Sequence, residues 1–204
     1  MPSSRTVTEE KSGLPVIAFA SAKEWGRWLS KQAATSKGLW LKLAKKGNET
    51  GSVSRAEAIE TALCHGWIDG QIDTYDEHWW LIRFTPRLPR SKWSEINRRT
   101  ALKLIDEGRM QPTGLSQVEA AKADGRWEVA YAPQSEATVP PDLQKALDAV
   151  PAAKLFFSTL KGVNRYAVLY RVQDAKTEKT RAQRIEKFVA MLARGEVLHP
   201  AKAG

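Results

Sequence analysis

The chain has 204 residues, 42% of them hydrophobic and 27% charged, with a formal net charge of +9. This composition excludes a disordered or fibrous polymer and allows one sizeable core, or a main domain with a smaller appendage. The single cysteine, Cys64, excludes an internal disulfide and favours a reducing compartment, so a cytoplasmic location is expected.

From the N-terminus, residues 1–13 are expected to be disordered. The stretch "LPVIAFASA" (Leu14 to Ala22) has the apolar run of a secretion leader, but Glu9 and Glu10 stand where a positive flank belongs. It reads better as a strand, "PVIAFA", followed by a helix through "SAKEWGRWLSKQAAT" that Ser21 and Glu24 open as a capping box. In "GLWLKLAKK", Leu39, Leu41 and Leu43 alternate with Trp40, Lys42 and Ala44, which is strand patterning. After the loop "GNETGSV", Ser54 and Glu57 form a second capping box, and Gly66 ends that helix. "WIDGQID" and "HWWLIRF" then predict two strands of a hairpin joined by "TYDE".

"TPRLPRSKW" contains two prolines and no periodicity, so an extended connection is expected. A helix follows from Ser94, and a shorter one in "TGLSQVEAAKADGRW" is expected to start at a third capping box, Ser116 with Glu119. "YAPQSEATVPP" (Tyr131 to Pro141) has the composition of a linker. Beyond it, "DLQKALDAV" and "AAKLFFSTL" read as short helices separated by Pro151. "GVNRYAVLYRVQDA" alternates like a strand but sits among helices and is assigned to helix. "EKTRAQRIEKFVAMLARG" is a helix with Ala182, Ile185, Val189 and Leu192 inward. The expected fold class is α+β: a small sheet with a central hairpin packed by helices, over residues 14–132. A linker at 133–141 and an all-helical C-terminal unit at 142–204 complete it. No run approaches the roughly eighteen apolar residues of a membrane-spanning helix, so no membrane span is expected.

The stretch "CHGWIDGQIDTYDEHWW" (Cys64 to Trp80) concentrates acids, histidines, a cysteine and tryptophans. As a calcium loop it fails, because Gln71 and Thr74 occupy positions that need an acid or a glycine. For zinc, Cys64 and His65 are adjacent on a helix and point apart. Neither a metal nor a cofactor is expected. Cys64 reads as a small buried hydrophobe rather than a nucleophile, and the chain has no nucleophile elbow, phosphate loop or dinucleotide fingerprint. Alternation along a strand predicts Asp69, Gln71, Asp73 and Tyr75 on one face. Asp69 and Asp73 would then stand about 13 Å apart, too far for a coupled carboxylate pair. Arg83, Arg87 and Arg90 follow closely, and Trp93 adds a large surface with an N–H donor.

Charge is uneven. Arg83 to Arg109 carries +5, Lys161 to Arg194 carries +6, and the remainder is −2. Two basic blocks suit anion contact, or solvated helix faces.

The motifs "GWIDGQ" (Gly66 to Gln71), "RFTPR" (Arg83 to Arg87), "SKWSEIN" (Ser91 to Asn97), "EGRM", "GL" (Gly114, Leu115) and "AKADGRW" (Ala121 to Trp127) together resemble the YdeI/OmpD-associated family, also called bacteriocin-protection proteins. The closing "KTEKTRAQRIEKFVAMLARGE" is similar to that family as well, and the resemblance covers about residues 16 to 200. It implies a role in protection against bacteriocins and cationic antimicrobial peptides, and it transfers no catalytic residue.

Three functions are open at this stage. The first is a cytoplasmic, non-catalytic protein that binds a polar or anionic ligand or a protein partner through Asp69, Gln71, Asp73, Arg83, Arg87, Trp93 and Asn97. The second is an enzyme acting on a small polar or phosphorylated molecule, with Asp69 as base and Arg83 and Arg87 as anion clamps. The third is nucleic-acid contact through Arg181, Arg184 and Lys187 on the closing helix.

Overall fold

The computed structural model describes residues 9–32, 35–47 and 51–200. These group into two compact units. One runs to Val129 and leaves out Ser94–Ile96; the other takes in Ser94–Ile96 and the chain from Ala130. Both are built as an α+β protein requires, with the sheet in the first and helices alone in the second among the described residues.

The first unit begins earlier than expected. Residues 1–8 lie outside the described residues, but Glu10–Lys11 is a strand (β1), not part of a disordered tail. It pairs antiparallel with β2 (Leu14–Ala18). Ser12 and Gly13 both take positive φ, 54° and 72°, the geometry of a tight two-residue hairpin turn. Helix α1 (Ala22–Gln32) leads to β3 (Leu39–Ala44), parallel to β2, and helix α2 (Arg55–Cys64) follows. The hairpin partners are β4 (Trp67–Thr74) and β5 (Trp79–Pro86), and the sheet order is β1-β2-β3-β5-β4.

One face of this sheet is the core. Leu39, Leu41 and Leu43 of β3 and Ile82 and Phe84 of β5 pack with Trp67 against Trp25 and Leu29 of α1 and Ala58 and Ala62 of α2. Trp25 lies 5.5 Å from Trp28 and 6.3 Å from Trp67, ring centre to ring centre. Its indole N–H donates to the Ala58 carbonyl at 3.1 Å, so this buried nitrogen is satisfied. The Ser54–Glu57 capping box that opens α2 forms in full.

Helices α3 (Glu95–Asp106) and α4 (Pro112–Ala123) complete the unit. The expected start of α4 at Ser116 is corrected. The helix begins at Pro112, whose fixed φ and missing N–H suit the first helical position, and Ser116 lies within it. Buried Gly114 allows α4 to meet α2 backbone to backbone: a Cβ there would come within 2.3 Å of the Cys64 carbonyl oxygen.

The second unit holds α5 (Pro141–Asp148), α6 (Pro151–Thr159), α7 (Gly162–Gln173) and α8 (Glu178–Ala193). Pro141 and Pro151 each occupy a first helical turn. The alternating stretch at Tyr166–Val172 is helical, as its setting among helices predicts. Leu143, Leu147, Phe157, Val172, Phe188 and Leu192 meet in its core.

Candidate functional site

The sheet face opposite the helices holds a different set of residues. Register pairs Trp40 with Arg83, Lys42 with Leu81 and Ala44 with Trp79 across β3 and β5, and all of these project away from the leucine core. Trp40 and Leu81 are buried there with Leu14, alongside Val16 and Tyr75. Lys42 Nζ sits 3.8 Å from the Tyr75 ring centre and 5.2 Å from that of Trp79. Such ring faces attract a cation. The β1 hairpin supports the same surface. Lys11 pairs with Asp73 at 2.7 Å, its carbonyl accepts from the Trp40 indole N–H at 3.0 Å, and Tyr75 donates to Glu9 at 2.6 Å. The Lys11 ammonium holds the Asp73 carboxyl below its usual range.

Arg83 is the exception on this face. It is half-buried, and its Nε is shielded from solvent with no hydrogen-bond acceptor among the described residues. No described carboxylate pairs with Arg83 or with Lys42. As diagonal neighbours across an antiparallel pair, they stand roughly 7–8 Å apart along the sheet.

The seven residues predicted as one binding surface do not form one. A bulge interrupts β4: Asp69 is opposite Phe84 and Ile72 opposite Ile82, so Gly70 and Gln71 together face Arg83 alone. The extra residue reverses the alternation. Asp69 therefore shares the face of Phe84, while Asp73 shares the face of Leu81, and the expected common face for the two acids is wrong. Asp69 is half-buried and its carboxylate makes no hydrogen bond or ion pair among the described residues, whereas Gln71 is exposed on the bulge beside Arg83.

Arg87 and Trp93 do meet, but as part of the interior. The Arg87 guanidinium lies 3.7 Å from the Trp93 ring centre and donates to the Lys92 carbonyl at 3.1 Å. Both residues are buried, and Trp93 packs edge-on against Trp127 at 4.8 Å. Arg126 donates to the Ser91 carbonyl and Arg98 to the Trp127 carbonyl. These contacts pin the irregular connection after β5. Asn97 is half-buried on α3. An acid–base site with Asp69 as base and Arg83 and Arg87 as clamps has no common locus here, because the three belong to two sheet faces and a buried stack.

On α8, Arg181 grips Asp142 with two nitrogens, one at 2.8 Å, and donates to the Val172 carbonyl at 3.0 Å. This guanidinium lowers the Asp142 pKa. Arg184 donates to the Arg171 carbonyl. Lys187 is exposed. The basic stripe is thus largely engaged with its own chain. Cys64 is buried, and burial raises its thiol pKa, which keeps it protonated. Burial likewise lowers the pKa of His65. Among the described residues no three His, Cys, Asp or Glu side chains cluster as metal ligands, and no helix is long and apolar enough to cross a membrane.

Sequence reasoning leaves Lys42 and Trp79 out of the site, although it sets Tyr75 on the candidate face. The signal was present, since the alternation of "GLWLKLAKK" already set Trp40 and Lys42 against the leucines.

Two family models match the chain. Residues 136–195 match OmdA, described as "Bacteriocin-protection, YdeI or OmpD-Associated", and residues 17–117 match a domain of unknown function, DUF8412. The resemblance to the bacteriocin-protection family is therefore shown in the C-terminal segment. The motifs from Gly66 to Leu115 fall within the other matched segment, and "AKADGRW" falls between the two. At the level of the family, this links the chain to bacteriocin protection. No curated protein matches the chain, and no solved structure does.

Proposed function

Starting from the bacteriocin-protection match of residues 136–195, we propose that this is a cytoplasmic, non-catalytic binding protein supporting tolerance of bacteriocins and cationic antimicrobial peptides. It holds a small anion, a phosphate or carboxylate, on the open face of the first unit's sheet. Lys42 and Arg83 supply the charge, and Gln71 on the bulge adds an amide donor. The observation that carries this reading is Arg83, a half-buried guanidinium with a buried Nε that has no acceptor.

A buried donor left without a partner is costly, and a charged one more so. An oxyanion meeting the guanidinium edge supplies the missing acceptor and the countercharge together, with the planar fork favouring two parallel bonds. Lys42, steered by Tyr75 and Trp79, is a second cation on the same face. Binding rather than turnover is favoured because Asp69, the base the sequence suggests, belongs to the other face, and Asp73 on this face is held by Lys11.

An NMR titration of the full chain with inorganic phosphate tests this. Amide shifts at Lys42, Gln71 and Arg83 should saturate, and Arg83→Gln or Lys42→Gln should weaken binding by about tenfold or more. The Arg83→Gln variant should also lower survival of cells challenged with bacteriocin. Shifts spread over unrelated residues, or variants that bind as the parent does, would refute the site.

A further inference from the structure

The second unit contains a groove of about 820 Å³ along α5 and α8, separate from the sheet. Its floor is apolar and built largely from small side chains: Ala146, Val150, Ala182, Ile185, Val189 and Ala190. Ile185 and Val189 are also core residues, whereas Ala182 and Ala190 are exposed. Alanine at these positions leaves a channel where longer side chains would close the gap between two helices. Every lining residue lies inside 136–195, the segment matched by the bacteriocin-protection family.

The rim decides what fits. Its charged groups are Asp142, Arg181, Glu178 and Glu186. Arg181 neutralises Asp142 through the bidentate pair. Glu178 and Glu186 are exposed and have no ionic partner among the described residues, so the mouth of the groove is left with two negative charges. They are eight residues apart on α8, which places them about 12 Å apart along one side at 1.5 Å per residue. A second copy of this chain, at +9, would meet general repulsion, and an anionic lipid surface would meet two carboxylates.

We propose that this groove docks an amphipathic helix of a partner protein, with a narrow apolar stripe and two Lys or Arg residues seven or eight positions apart. The stripe fills the alanine channel as helix-in-groove complexes do. The two cations pair with Glu178 and Glu186 at the rim, where charge governs selection and on-rate more than total affinity.

The test uses the full chain and two dye-labelled synthetic helix-forming peptides, read by fluorescence anisotropy at low salt. Both carry Ala and Leu on one face; one has Lys and the other Glu at two positions eight residues apart. The Lys peptide should bind about tenfold more tightly or better, and the protein variant E178K/E186K should invert that preference. Ala182→Phe, at an exposed helical position, should block the favoured peptide while leaving the circular dichroism spectrum unchanged. Equal binding of both peptides, no binding of either, or a preference that survives the charge reversal would each overturn the proposal. None of these results depends on phosphate binding at the sheet.

Discussion

The two units differ in the contacts that fix their helices, although ion pairs such as Arg109–Glu60 at 2.9 Å occur in the first as well. The first depends on close apolar and backbone contacts: Gly114 against Cys64, Trp93 between Arg87 and Trp127, and Trp25 among four other aromatic rings. The second has an apolar core too, but its helices α5, α7 and α8 share a half-exposed ionic tie, Arg181 to Asp142 and to the Val172 carbonyl. Steric anchors ignore pH and salt, whereas an ionic tie weakens in acid and with screening. All eight tryptophans lie in the first unit, so tryptophan emission follows that unit alone. Arg87, Arg98, Arg181 and Arg184 donate to carbonyl oxygens of their own chain, whereas the Nε of Arg83, on the sheet face, has no acceptor among the described residues.

The largest effect should come from the steric side. Gly114→Ala would set a Cβ 2.3 Å from the Cys64 oxygen and 2.8 Å from its carbonyl carbon. Both are backbone atoms that cannot rotate away, and Gln111 N–H already bonds that oxygen at 3.0 Å. A loss of about 3 kcal/mol is expected, the upper end for overpacking, seen as a lower urea midpoint by tryptophan emission. A midpoint equal to the parent's would mean that α2 and α4 separate freely. Next comes Arg87→Lys. A lysine keeps the charge but loses the flat contact with Trp93 and the fixed bond to the Lys92 carbonyl, so about 2 kcal/mol should be lost despite the conserved charge. Full retention of stability would show that charge alone matters at that position.

Much of this architecture was legible from local patterns. Strand alternation in β3, the Ser54–Glu57 box, the hairpin and the helical run after Pro141 are short-range signals, and each formed. The assignment of Gly162–Gln173 to helix against its strand-like alternation was decided by neighbours, which is how tertiary context overrides propensity. The start of α4 was misread because a capping pattern at Ser116 competed with a proline at Pro112, and the proline prevailed. The candidate site was hidden by one residue. Gly70 inside a strand pattern is the usual mark of a bulge, but reading β4 as regular put Asp69 and Asp73 together. The partners of Arg87 and Arg181 were not legible at all, because a guanidinium finds distant carbonyl groups only once the chain has folded.

The ionic tie gives the next prediction. Asp142 has a pKa depressed in the folded state, chiefly by the hydrogen bonds from Arg181. The stability it contributes is therefore present above the unfolded carboxylate pKa, near 4, and fades as pH falls through the folded value. Below about pH 4 the second unit should weaken, and Asp142→Asn should flatten that dependence while costing about 1 kcal/mol at pH 7, allowing for solvent screening of a half-exposed pair. Helical circular dichroism during acid titration measures it. Tryptophan emission should not follow the Asp142 change; if it does, the contrast between the units fails.

The smallest effect separates two acids of one strand. Asp73 lies on the face of Arg83 and Lys42 and holds Lys11 at 2.7 Å, while Asp69 lies on the opposite face. Removing the Asp73 charge by substitution with Asn takes one negative group from the proposed anion surface and releases an ammonium toward it. Phosphate affinity should then rise by about two- to threefold at low salt, and the gain should vanish as the Debye length falls below the spacing of the groups. Asp69→Asn should leave affinity unchanged, since the sheet separates it from Arg83. Equal responses to the two substitutions would mean that the bulge does not divide the strand, and Arg83 would then have a carboxylate neighbour after all.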